Sequence, residues 1–133
     1  MTFLSAAVIL IVGCSQHQKS DVVTLQGTWK GPQIHVNHQC SLVISGSNYE
    51  IQDDEDTNAW NKGTFTLRED TNPRQCIFVI SECHLPQFVG KTIMAIYRLE
   101  GGTLTITWNA PGNTTAPSAF DVHGAACMEL KRQ

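Results

Sequence analysis

Lys91-Thr92-Ile93-Met94-Ala95-Ile96-Tyr97-Arg98-Leu99-Glu100-Gly101-Gly102-Thr103-Leu104-Thr105-Ile106-Thr107-Trp108 reads as two strands joined by a tight turn. Ile93, Ala95 and Tyr97 share one side of the first arm, and Leu104, Ile106 and Trp108 alternate with threonines along the second. That is the period of two expected of a pleated strand, and Gly-Gly between the arms supplies the positive backbone angles of a hairpin. The pattern repeats outward. Upstream lie Cys76-Ile77-Phe78-Val79-Ile80, then Trp60-Asn61-Lys62-Gly63-Thr64-Phe65-Thr66-Leu67. Before those, Leu42 and Ile44 lead through Ser45-Gly46-Ser47-Asn48 to Tyr49 and Ile51, and Leu25, Gly27 and Trp29 alternate with Gln26, Thr28 and Lys30. Downstream, a last stretch covers residues 119–132, broken at His123-Gly124. Turn formers fill residues 53–58, 69–74 and 110–117. Helical periodicity appears nowhere at length. Hairpin-linked strands at intervals of roughly ten residues predict an all-β chain, an eight-stranded antiparallel meander. Short consecutive links and the need to remove sticky edges favour closure into a barrel over a sandwich.

The chain has 133 residues, 41% apolar and 16% charged, with a formal net charge of −3. This length fits one domain with a core of its own. The composition excludes a disordered tail, a collagen-like fibre and a helical multispan membrane protein. A mildly acidic chain without a Lys/Arg cluster is also not built to neutralise phosphates, so no nucleic-acid partner is expected.

Residues 1–13 carry no charge, and Phe3 to Val12 is apolar apart from Ser5. Ten residues are too few to span a bilayer core, which takes about 20, but they match the apolar region of a secretory signal. The run ends Ile11-Val12-Gly13-Cys14, which resembles the lipobox of bacterial lipoproteins. The resemblance implies lipidation of Cys14 as the first residue of the mature chain. No Lys or Arg precedes the run, a departure from the usual basic start, and Val12 is a less common choice at its position. The polar stretch that follows suits a solvated tether, residues 14–23, ahead of a domain at 24–133. Ser15 after the cysteine resembles outer-membrane sorting, so the expected place is the cell envelope, with the membrane as a partner through the lipid.

Within the domain, the opening Leu25-Gln26-Gly27-Thr28-Trp29-Lys30 is followed by Gly90-Lys91-Thr92, Ile96-Tyr97-Arg98-Leu99, Leu104-Thr105-Ile106 and Pro117-Ser118-Ala119-Phe120. In order and spacing this resembles a family of lipocalin-like domains abundant in planctomycete-type bacteria, over roughly residues 24–132. The resemblance implies an eight-stranded lipocalin-like barrel and no activity. The chain departs from that family in its cysteines and histidines, and in Ser118 where an Arg-Pro pair often stands. Gly27-x-Trp29 also resembles the signature of true lipocalins, in which the indole plugs the barrel floor and an Arg of the last strand caps it by a cation–π contact. Arg132 shares the face of Met128 and Leu130 by alternation and is the candidate cap, while Lys131 points the other way.

With Trp29 at the floor, alternate links sort to opposite ends. The links near residue 37 and at 53–58, 83–90 and 109–117 fall at the mouth, and those at 45–48, 69–74 and 100–102 at the floor. Cys40, Cys83 and Cys127 are thereby sent to the mouth and Cys76 to the floor. Cys76 and Cys83 are seven residues apart on one strand, about 23 Å, beyond disulfide reach. At most one disulfide is expected, drawn from Cys40, Cys83 and Cys127; free buried thiols are the alternative. His35, His38, His84 and His123 sort to the same end, beside the acidic run Asp53-Asp54-Glu55-Asp56. His35, His38 and His84 are the candidate ligands of an alternative reading, a zinc- or copper-binding rim. The acidic run lacks the Gly and the distal Glu of an EF-hand.

No phosphate loop, nucleophile elbow or paired-carboxylate motif is present, so no enzyme and no cofactor are expected. Cys83 and His84 are strand neighbours and are expected to face opposite ways. The interior is assigned to Leu42, Ile44, Tyr49, Ile51, Phe65, Leu67, Ile77, Val79, Ile93, Ala95, Tyr97, Leu104, Ile106, Trp108 and Phe120. Of these, Leu42, Tyr49, Phe65, Tyr97, Trp108 and Phe120 are the candidate lining of a pocket. Phe78, Ile80, Met94 and Ile96 then fall on the outer face and need cover. The expectation is a non-enzymatic, lipid-anchored barrel that holds a small apolar ligand or serves as an interaction module.

Overall fold

The computed structural model describes residues 20–122 and 124–133. The expected leader, Cys14 and His123 lie outside them. The strands are β1 (Gly27–Gln33), β2 (His38–Ser45), β3 (Asn48–Asp53), β4 (Trp60–Arg68), β5 (Arg74–Cys83), β6 (Thr92–Glu100), β7 (Thr103–Trp108) and β8 (Ala126–Arg132). Each pairs antiparallel with its sequence neighbours, and β8 returns to β1, so the sheet is a closed eight-stranded barrel in meander order. An eight-stranded barrel has an interior that side chains can nearly fill.

The chain enters through α1 (Asp21–Leu25), where the sequence predicts the end of a tether and the start of a strand. Five residues carry no helical periodicity, so tertiary contacts make this helix. Ser20 caps it, accepting from the Val22 N–H at 3.4 Å. Leu25 is buried and Val22 packs on the core. Asp21 is held by the Tyr97 hydroxyl at 2.6 Å and by Arg74 at 2.8 Å, and its own N–H donates to Glu69 at 2.7 Å. The helix thus lies across one end of the barrel and shuts it.

The floor plug sits against this lid. Trp29 is 2% exposed and its indole N–H donates to the Leu25 carbonyl at 2.9 Å. Arg132 faces Trp29 across the β1–β8 ladder, with its guanidinium carbon 4.4 Å from the ring centroid. It also donates to the Gln26 carbonyl at 2.6 Å and to the Thr24 carbonyl. Gly27 has φ +118°, a conformation that costs a glycine little. Two residues beyond Trp29 on β1, a Cβ on Gly31 would stand 2.0 Å from the Glu129 carbonyl oxygen, so only glycine lets β1 and β8 meet there.

Strand β5 is in the opposite phase to the one expected. Cys76, Phe78 and Ile80 are buried in the interior, while Ile77 is half-buried and Val79 exposed. The ladder shows why: Phe65 stands opposite Phe78 and Leu67 opposite Cys76, and directly opposed residues share a face. A bulge at Lys62/Gly63 shifts the register between β4 and β5, and a Cβ on Gly63 would stand 1.9 Å from the Val79 carbonyl oxygen.

The last strand is also shorter than expected, because residues 109–125 form a long link before β8. That link folds over the outer wall. Ile96 and Thr107 are fully buried although their neighbours Tyr97 and Ile106 already fill the interior. The Thr107 hydroxyl donates to the Phe120 carbonyl at 3.5 Å, and Arg98 lies over the Phe120 ring at 4.5 Å. Phe120 therefore covers the outside of β6 and β7 and is removed from the interior set.

Candidate functional site

One end of the barrel is sealed by α1, Trp29 and Arg132; the other end is open. Its rim is made by the links after β1, β3, β5 and β7, the same four assigned to the mouth from the sequence. Below the rim lies an apolar cup of about 60 Å³. Leu42, Tyr49, Ile51, Phe78, Ile93, Trp108 and Met128 line it, with Asn61. Leu42 and Met128 are buried at its base, while Ile51, Asn61 and Trp108 are half-buried at its lip. The Tyr49 hydroxyl donates to the Asn61 side-chain oxygen at 2.6 Å, which satisfies the main polar pair of the wall. Burial pushes the Tyr49 phenol well above its usual value, so it stays a neutral donor. Phe78 packs edge-on against Tyr49, with centroids 4.7 Å apart.

Of the candidate lining residues, Leu42, Tyr49 and Trp108 line the cup. Phe65 and Tyr97 are buried lower in the core, with the Tyr97 hydroxyl turned to Asp21 at the floor. Phe120 is outside the wall. Sequence reasoning missed Phe78, because every residue from Cys76 to Ile80 is apolar and alternation alone cannot choose between the two faces. It also missed Asn61 and Met128, and it placed Ile51 and Ile93 in the interior without naming them as lining.

At one point of the rim, His38 Nδ1 lies 2.6 Å from Asp53 Oδ2. Asp53 Oδ1 accepts from the Glu55 and Asp56 N–H groups at 2.9 and 3.2 Å, and Glu55 accepts from the Gln39 N–H at 3.3 Å. Ser41 donates to Asp54 at 2.7 Å. The acidic run is thus clipped to the start of β2. The hydrogen bond to Asp53 raises the His38 pKa above its ordinary 6.5, and the same bond lowers that of Asp53. Among the described residues, His38, Asp53 and Glu55 are the three whose donor atoms lie within 4.8 Å of one another. The expected set of His35, His38 and His84 does not form this cluster. His35 sits in the β1–β2 turn at φ 72°, and His84 is occupied by the β4 backbone, its Nδ1 2.8 Å from the Trp60 carbonyl oxygen.

Cys83 Sγ lies 3.8 Å from His84 Nδ1, so these neighbours do not face opposite ways. His84 falls one residue past the end of β5, where strand alternation no longer applies. The Leu85 N–H donates to the same sulfur at 3.5 Å.

The expected disulfide is absent: Cys40, Cys76, Cys83 and Cys127 are all free thiols. Sharing an end of the barrel is not enough to pair. Cys40 is on β2 and Cys83 on β5, three strand spacings or about 14 Å along the wall. Cys127 is on β8 beside inward-facing Met128, so it points out while Cys40 is buried. Disulfide geometry needs close, convergent Cβ positions. Burial pushes the Cys40 thiol up to about 11, and the Cys76 thiol further still.

In comparisons with known proteins, no family model, no curated protein and no solved structure matches the chain. The barrel topology and the site geometry therefore carry the functional argument.

Proposed function

We propose that this chain is a lipid-anchored protein of the bacterial envelope, of lipocalin-like family and without enzymatic activity, whose barrel mouth takes up a small apolar group. The observation that carries this reading is the apolar cup beneath an open rim, in a barrel whose opposite end is sealed. Ligand pockets for drug-sized molecules run to roughly 300–1,000 Å³. A cup of about 60 Å³ is far smaller and has room for about four heavy atoms, at roughly 15 Å³ each. The fitting ligand is a short alkyl group or the tip of a larger molecule, and a whole fatty acid does not fit.

The reading is tested by titrating 1-butanol into the isotope-labelled protein. Shifts at the Trp108 indole and the Ile51 and Ile93 methyls are expected, and Ile51→Phe, which fills the lip, removes them. Shifts spread evenly over the outer wall, or none at saturation, overturn the cup as the site. Anchoring is tested separately: an alkyne-bearing palmitate label is expected on the wild-type chain and not on Cys14→Ser.

One observation supports a second reading, a metal at the rim. His38, Asp53 and Glu55 lie close enough to share an ion, but binding must break the 2.6 Å His38–Asp53 bond. Zinc calorimetry decides it, since loss of heat in His38→Ala is required.

A further inference from the structure

The rim around the cup is apolar in an unusual concentration. Of the seven large aliphatic side chains exposed among the described residues, Val36, Leu85, Val89 and Val122 stand in three of the mouth links. The floor carries Val23, and the outer wall carries Val43 and Val79. Val36 and Val122 line one groove of about 690 Å³ on the rim, together with Ile34 and Ala125. On the opposite links, the short 3-10 turn Pro86–Phe88 packs Phe88 against the core and leaves Leu85 and Val89 to solvent.

Charge divides along the same axis. The mouth holds the acidic run with Glu82 and Asp121 against Lys62 and Lys91, six carboxylates to two ammonium groups. The floor holds Arg68, Arg74, Arg98, Lys131 and Arg132 against four carboxylates. The open end is therefore anionic and aliphatic together.

We infer that the mouth docks a polypeptide segment of another protein that carries a branched aliphatic side chain flanked by lysine or arginine. This rests on the cup as the binding site and names what enters it. A leucine or isoleucine side chain has four carbons beyond Cα, which matches the cup. The exposed aliphatics form the ring that excludes water around such an anchor. The carboxylates of the 53–56 link meet the flanking cations, guiding encounter and fixing orientation. A bilayer is the wrong partner, because anionic lipid repels this rim and an acyl chain exceeds the cup. A second copy is also a poor fit, since two mouths repel and the floor offers one exposed valine.

The test uses calorimetry on the mature chain with capped hexapeptides. The probe is Lys-Leu-Lys-Lys-Leu-Lys, and the controls replace both Leu with Gly or every Lys with Glu. The probe is expected to bind about tenfold more tightly than either control at low salt. Its affinity should fall steeply towards about 1 M salt, where screening shortens to about 3 Å. Leu85→Ser with Val89→Ser should weaken it about tenfold. Asp54→Asn with Asp56→Asn should weaken it and flatten the salt dependence. These positions are exposed, so the fold is retained, which circular dichroism confirms. Equal binding of the controls, or binding of phosphatidylglycerol vesicles in preference to the probe, overturns the inference. Entry of 1-butanol into the cup without peptide binding rejects the partner and keeps the cup, and failure of both rejects both.

Discussion

His38 and Asp53 set the acid–base behaviour of the rim. The folded pKa of His38 is raised, so its contribution to stability is complete below about pH 6.5 and lost as pH rises through the folded value. That of Asp53 is lowered, so its contribution is present above about pH 3.8 and lost as pH falls through the folded value. The clip between β2 and the 53–56 link is thus tightest between about pH 3.8 and pH 6.5. An NMR titration of the His38 ring should give a midpoint above 6.5, and Asp53→Asn should bring it down towards 6.5. At the floor, Trp29→Ala should cost about 3–5 kcal/mol in urea unfolding, as for other buried tryptophans. Arg132→Ala should cost about 1–2 kcal/mol, from the cation–π contact and two carbonyl partners. A double-mutant cycle should show the two effects to be coupled, because the groups touch. The pairing of Trp29 with Arg132 was legible because each lies on a regular strand whose alternation fixes its face. The thiols were not, because strand order gives the end of the barrel but not the direction of Cβ. Ellman's reagent should titrate half-buried Cys83 and Cys127 before Cys40 and Cys76, with no disulfide found by mass spectrometry under non-reducing conditions.

Among the elements, the β1–β8 seam depends on a glycine. Gly31→Ala drives a methyl into the Glu129 carbonyl, a backbone atom that cannot rotate away. It should cost about 1–3 kcal/mol in chemical denaturation, the range for overpacking, and should speed exchange of the β8 amides. Gly46→Ala meets no atom within 4 Å, so its cost reports the strain of positive φ and no clash. Strand β5 shows where reading by alternation stops. Its five central residues are apolar on both faces, so its phase comes from its partner through the Phe65–Phe78 pair and the Lys62/Gly63 bulge. Nothing local in β5 announces that bulge. The outer face of β6 was legible as needing cover, and residues 109–125 supply it. That Phe120 belongs to the cover was not legible, because a loop residue has no ladder partner to fix its side. Helix α1 was hidden for a related reason: it is a product of its contacts with Glu69, Arg74 and Tyr97, all distant in sequence.

For the whole molecule, turn chemistry and period-two strands sufficed to place eight strands in meander order. They sorted the links to the correct ends because antiparallel neighbours must alternate direction. Interior volume was not legible. It depends on how Tyr49, Phe78 and Trp108 interdigitate, and rotamers are set by packing. The division of charge along the barrel axis followed only once each link had a pole.

Ser20 leaves the barrel at the shut pole, and Gln133 ends there too, its N–H bonded to the Thr28 carbonyl at 2.9 Å. Five residues lie between Cys14 and Ser20, so the six steps of chain that join them can span at most about 20 Å. Were the proposed lipid carried on Cys14, a leash this short, fastened beside the arginine-rich pole, would keep that pole towards the lipid surface and turn the aliphatic lip outward to the surrounding fluid. A reporter fused after Gln133 would sit at the shut pole and leave the lip unobstructed.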